Sequence, residues 1–151
     1  MDIFIREYHP ADWPRMMEIH DKARVDELRL AGLAEAFVPL SQAAFNEGLF
    51  DYTIYVALAD EIVAGFVAYS RDELAWLYVD PALARRGIGR LLVKHVIESA
   101  AIRPLCVEVL AGNDPAINLY RSMGFVTTEI RSGRMPGNES FHVSACFMQM
   151  E

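Results

Sequence analysis

The stretch Ala82–Leu92, ALARRGIGRLL, constrains what this chain can fold into more than any other. It follows an apolar run closed by Pro81 and leads into an apolar run of helical spacing. Glycine costs about 1 kcal/mol against alanine inside a helix, so two glycines at a helix start need a reason. A strand that turns at once into a helix leaves the first helical N–H groups unpaired. The helix dipole gives those groups a positive partial charge. A glycine there, lacking Cβ, lets an anion reach the backbone. Arg85, Arg86 and Arg90 add donors suited to phosphate. They stand in an acidic chain, with 14 Lys and Arg against 21 Asp and Glu and a net charge of −7. On spacing, the stretch predicts a site for a phosphate-bearing ligand, with a plain helix start and solvated arginines as the alternative. A dinucleotide fingerprint needs a third glycine where this chain has Leu92, and the Gly-Lys-Ser/Thr ending of a P-loop is absent.

The rest of the pattern predicts one α/β domain over residues 1–151. At this length a chain buries roughly 70% of its unfolded surface. DIFIREY alternates as a first strand. A helix follows from Asp12, read as its cap, with Pro14 in its first turn and Gly32 as its end. PLSQAAFNEGL reads as a second helix with Ser41 as cap. YTIYVALAD and EIVAGFVAYS form a hairpin across Asp60–Glu61. ELAWLYVD is the fourth strand. The helix GIGRLLVKHVIESAAI carries Leu91, Leu92, His95 and Val96 at helical spacing. LCVEVLAG is a strand, and DPAINLYRSMG a helix with Asp114 as cap and Gly124 as stop. FVTTEIR and SFHVSACFMQM close the chain as strands around the turn-rich SGRMPGN. The unit from 73 to 110 is strand–helix–strand within an otherwise antiparallel arrangement, so the sheet is mixed.

Composition narrows the function. The negative balance argues against a nucleic-acid partner, which wants a broad basic face, and mildly favours cationic ones. Cys106 and Cys146 lie in apolar runs and read as buried free thiols, with no disulfide framework or metal spacing. His20, His95 and His142 are not spaced as a metal site, so no metal is expected. Met16, Met17, Met148, Met150, Trp13 and Trp76 read as core. The N-terminal residues lack the pattern of a signal peptide. No run approaches the ~18 apolar residues that span a membrane, and a cytoplasmic protein is expected.

LYVDPALARRGIGRLLVKHV followed by VEVLAGNDPAINLYRSMGF resembles the GNAT superfamily of acetyl-CoA-dependent N-acetyltransferases. That family carries Gln/Arg-x-x-Gly-x-Gly/Ala between its fourth strand and third helix, then Asn, Ala, Tyr and Gly-Phe. The matching residues here are Gly87 and Gly89, then Asn113, Ala116, Tyr120 and Gly124–Phe125. The leading Gln/Arg position holds Ala84. The resemblance spans roughly residues 73–126 and implies a GNAT-like, mostly antiparallel sheet of about seven strands with helices on both faces. It further implies that backbone amides of Arg86, Gly87, Ile88, Gly89 and Arg90, aided by Arg85, hold the pyrophosphate of acetyl-CoA. The backbone of Leu77, Tyr78 and Val79 would pair with the pantetheine arm as an added strand does. This requires the fourth and fifth strands to splay at a bulge, with Asn113 at the mouth.

Moving acetyl from a thioester to an amine requires a deprotonated amine, a donor to the carbonyl oxygen and a proton for the thiolate. The resemblance makes Tyr120 the acid, within about two pKa units of the thiolate, and the Val79 N–H the carbonyl donor. Two glutamates match family positions for a base acting through water. Glu73 opens the fourth strand, and Glu108 interrupts the apolar strand LCVEVL, where a carboxylate is costly unless solvated, paired or functional. Residues 20–50 and SGRMPGNES fall where the family builds its acceptor pocket. Asp21, Asp26, Glu27 and Glu35 there favour a cationic amine. A small amine is expected first and a peptide amine second. A non-catalytic acyl-CoA-binding or sensing domain is the alternative. A homodimer through the apolar final strand is a further expectation.

Overall fold

A computed structural model describes the whole chain, residues 1–151. The elements run β1 (Ile3–Glu7), α1 (Trp13–Leu30), α2 (Leu40–Asn46), β2 (Thr53–Ala59), β3 (Ile62–Tyr69), β4 (Glu73–Val79), α3 (Ile88–Ser99), β5 (Leu105–Leu110), α4 (Asp114–Ser122), β6 (Val126–Met135) and β7 (Asn138–Met150). The seven strands form one sheet in the order β1-β2-β3-β4-β5-β7-β6. Only the β4–β5 pair is parallel. This is the mixed, mostly antiparallel fold that the pattern predicts.

β2 and β3 are apolar at nearly every position because both faces of the sheet are covered there. Val56, Leu58, Phe66 and Ala68 face α1 and α2, where Met16, Ile19, Leu40 and Ala44 meet them. Ala57, Val67 and Tyr69 face the opposite side and pack on Leu92, Val93 and Val96 of α3. β6 has no such cover, and its Val126 and Ile130 are exposed. β7 lies between β5 and β6, paired on both sides over Ala145–Gln149, while Asn138–Val143 pair with β6 without a β5 partner, and the sheet ends at β1 and β6. No helix is long and apolar enough to cross a membrane.

Several local expectations change. Asp12 does not cap α1. Residues Pro10–Asp12 form a short 3-10 turn, and the Asp12 carboxylate instead accepts two hydrogen bonds from Arg6, at 2.9 and 3.0 Å, and one from the His9 N–H at 2.9 Å. Ser41 does not cap α2 either. The helix starts at Leu40, whose N–H donates to Oδ1 of Asp21 on α1, at 2.9 Å. Asn113, not Asp114, caps α4 by accepting from the Ala116 N–H. The buried face of α3 is Ile88, Leu92, Val93 and Val96, while Leu91 is exposed. Most of SGRMPGN is strand, because β6 extends to Met135 and turns tightly at Pro136–Gly137. Cys146 is buried and Cys106 half-buried, both free. His95 stacks on Tyr55 at 4.1 Å, whereas His142 is exposed on β7.

The Arg6–Asp12 pair joins β1 to the start of α1. Hydrogen bonds from Arg6 outweigh burial and hold the Asp12 carboxyl below its ordinary range. A carboxyl so depressed adds stability that is complete above its unfolded pKa and is lost as pH falls through the folded value. Asp12→Asn is expected to cost about 1–2 kcal/mol at neutral pH and to flatten the loss of stability below about pH 4. Urea denaturation of both proteins across that range measures it.

Candidate active site

β4 and β5 pair only at their first residues, Glu73 with Cys106 and Leu74 with Val107. The cause lies one strand away. In the β3–β4 ladder Tyr69 faces Leu74 while Ala68 faces Trp76, so Ala75 is an extra residue. A bulge of this kind bends the strand that carries it, and beyond it β4 and β5 diverge. The Asp80 N–H donates to the Ala64 carbonyl at 2.8 Å. The Tyr78 carbonyl lies 2.9 Å from where a Cβ on Gly65 would sit. Tyr78 and Asp80 thus turn their backbone groups to β3. By the alternation of a strand, Leu77 and Val79 present theirs to the opening. Of the three residues predicted to pair with an extended ligand, Leu77 and Val79 have an open edge and Tyr78 does not.

The start of α3 stands at the mouth of this opening. Arg85 and Gly87 both take the left-handed conformation, with φ of 64° and 82°. A Cβ on Gly87 would meet nothing within 4 Å, so its backbone angle alone calls for glycine. Arg90 donates to the Ser122 hydroxyl at 2.8 Å, tying α3 to the end of α4. Arg85, Gly87, Ile88, Gly89 and Arg90 line a cleft of about 1150 Å³. The Arg86 side chain is exposed and lies outside it.

Every other predicted site residue lines the same cleft: Glu73, Leu77, Tyr78, Val79, Glu108, Asn113 and Tyr120. Tyr120 is 4% exposed and packs edge-on against Phe125. Its hydroxyl has no protein partner and opens to the cleft. Burial, and then the charge of Glu27, pushes the phenol well above its ordinary pKa, so it carries its proton at any physiological pH. Glu73 accepts from the Tyr52 hydroxyl at 3.1 Å. Glu108 faces the cleft unpaired. Desolvation, then the nearby Glu73, raises its pKa, and Arg131 partly offsets both.

The rest of the polar wall escapes a sequence reading. Glu27 on α1 accepts from the Tyr78 hydroxyl at 3.1 Å, from the Asn113 amide at 3.0 Å, and from Arg24. The sequence marks Glu27 only as one acid among several in the first half. Glu47 and Glu139 add two more carboxylates to the cleft, and desolvation raises the pKa of Glu47. His20 is buried against the Tyr78 ring at 4.7 Å and bonded to Asp21, and burial lowers its pKa.

A sheet opened between two parallel strands, with a glycine-bearing helix start at the mouth, is the architecture of the GNAT acetyltransferases. Residues 50–127 match the acetyltransferase (GNAT) domain family, and the chain belongs to that family as an N-acetyltransferase. It is 36% identical over 126 residues to the [ribosomal protein bS18]-alanine N-acetyltransferase of Salmonella typhimurium, covering 78% of this chain and 83% of that protein. The crystal structure of the ribosomal-protein-alanine N-acetyltransferase of Brucella melitensis superposes with a TM-score of 0.72 at 28% identity, over 97% of this chain and 98% of that one. A putative acetyltransferase of Salmonella typhimurium, yncA, solved with its cofactor acetyl-CoA, shares the fold with a TM-score of 0.71 at 21% identity, over 99% and 93%.

The crowding of carboxylates has a direct readout. In carbon-detected NMR titration, Glu108 is expected to titrate above the ordinary glutamate range, to fall back in Glu73→Gln, and to rise further in Arg131→Ala.

Proposed function

We propose that the chain transfers acetyl from acetyl-CoA to a cationic amine by direct attack, with no covalent enzyme intermediate. One observation carries this reading: a single cleft joins an anion-binding helix start, an unpaired strand edge and a proton-bearing phenol. The fit to the cofactor rests on this chain's own groups. Amides from Arg86 to Arg90, with the Arg85 and Arg90 side chains, suit the pyrophosphate. The Leu77 and Val79 edge suits the amides of an extended arm.

The Val79 N–H, aimed into the opening, donates to the thioester oxygen as charge builds there. Glu108, raised in pKa and facing the cleft, takes the amine's proton through water. Glu73 is already engaged by Tyr52 and tunes Glu108. As the new C–N bond forms and the C–S bond breaks, the Tyr120 hydroxyl gives its proton to the departing thiolate. The acceptor enters past Glu47, Glu108 and Glu139, whose charge favours a cation. The Salmonella typhimurium relative is named for an alanine amine of ribosomal protein bS18. That supports a peptide amine as acceptor, ahead of the small amine that sequence reading ranks first.

Two measurements test this. Acetyl-CoA is expected to bind with micromolar affinity in calorimetry. Arg85→Glu should weaken it at least tenfold more than Arg86→Glu, because only Arg85 lines the cleft. Equal effects would remove Arg85 from the phosphate site. Tyr120→Phe should lower kcat about a hundredfold or more while binding acetyl-CoA as the parent does. An unchanged kcat would remove the acid role, and binding without turnover on any amine would favour a sensing domain.

A further inference from the structure

The two lips of the opening are held by a residue that belongs to neither. One lip is β4, ending at Val79. The other is the end of β5 and its connection to α4, residues Leu110–Asn113. Past Leu74 and Val107 no ladder joins them. Glu27 bridges them from α1. One carboxylate oxygen accepts from the Tyr78 hydroxyl on the first lip, at 3.1 Å. The other accepts from the Asn113 amide on the second, at 3.0 Å. Arg24, one turn earlier, balances the charge by pairing with the first oxygen. Asn113 is 7% exposed and uses its other end to cap α4 through the Ala116 N–H. α4 carries Tyr120.

A second contact fixes the same joint. Gly112 has a φ of 99°, and a Cβ there would lie 3.0 Å from the Leu30 carbonyl oxygen. The end of α1 therefore rests on the backbone of the second lip, one turn beyond Glu27.

We propose that Glu27 is a positioning residue that sets the width of the β4–β5 opening, and through Asn113 the placement of α4 against bound acetyl-CoA. Its charge also acts on Tyr120 across the cleft, but its hydrogen bonds to the two lips run through Tyr78 and Asn113. This rests on the acetyl-CoA reading above.

The bond can be reversed without removing it. Glu27→Gln sets an amide N–H against the Asn113 amide N–H. Asn113→Asp sets a carboxylate against the Glu27 carboxylate. The double variant restores one donor facing one acceptor, keeps the net charge, and leaves a carboxylate to cap α4. Calorimetry with acetyl-CoA, with thermal melting of each protein, is the test. Each single variant should bind about tenfold more weakly at an unchanged stoichiometry. The double variant should return to within about threefold of the parent, since coupled residues are non-additive. Single variants that bind like the parent, or a double variant whose loss is the product of the single losses, would overturn the inference. A merely structural role would lower the binding stoichiometry and the melting temperature and leave the affinity of the folded fraction alone. If a single variant fails to fold, the double decides. A folded, binding double supports the inference, and a double that stays unfolded overturns it. A parent protein that does not bind acetyl-CoA would overturn the cofactor reading itself, and the inference with it.

Discussion

Everything functional here depends on a ladder that stops. Two parallel strands pair over two residues and then part, because one extra residue in β4 bends it away. Unpaired strand edges buried within a sheet are costly, since each exposed N–H and C=O seeks a partner. The fold answers that need on one side by turning Tyr78 and Asp80 to β3. On the other side it leaves the edge at Leu77 and Val79 without a strand partner. The cost of the break is borne by the rest of the sheet, whose centre is covered on both faces by tightly packed apolar side chains.

The electrostatics of the cleft divide along its length. The α3 end gathers Arg85, Arg90 and the helix amides, where phosphates are expected. The opposite end gathers Glu47, Glu73, Glu108 and Glu139. Close carboxylates raise one another's pKa, and desolvation acts in the same direction on Glu47 and Glu108. An anionic coenzyme and a cationic acceptor can thus enter the same space at different ends. The overall charge of −7 hides this polarity, because it sums two regions of opposite sign.

The element order and the glycine-marked helix start were legible because both depend on short-range patterns. Period-two alternation marked β1, unbroken apolar runs marked β2 and β3, and the glycines at 87 and 89 marked the helix start. Caps were less legible. Asp12 and Ser41 look like N-caps locally, yet Asp12 is taken by Arg6, and α2 is capped by Asp21, nineteen residues away. The extent of β6 and β7 was misjudged because Gly133 and Ser132 read as turn residues, while the cross-strand ladder holds them extended. In the site, Tyr120, Glu73 and Glu108 all line the one cleft, while the exposed Arg86 side chain lies outside it, which leaves the expectation for its backbone amide untouched. The bridging part of Glu27 had no local signature, since its partners lie 51 and 86 positions downstream.

The placement of β7 has a consequence for how the molecule assembles. β2, β3 and β4 can form in steps, since they join through neighbouring hairpins, whereas β1 pairs with β2 across 48 to 56 positions. β5 has two paired residues on one side and otherwise relies on β7, whose partners lie 35 to 45 positions downstream. Contacts this distant in sequence form late, because long loops must close first. The half of the sheet bearing Glu108 therefore waits on the closing hairpin, and the cleft is among the last features to acquire its shape during folding.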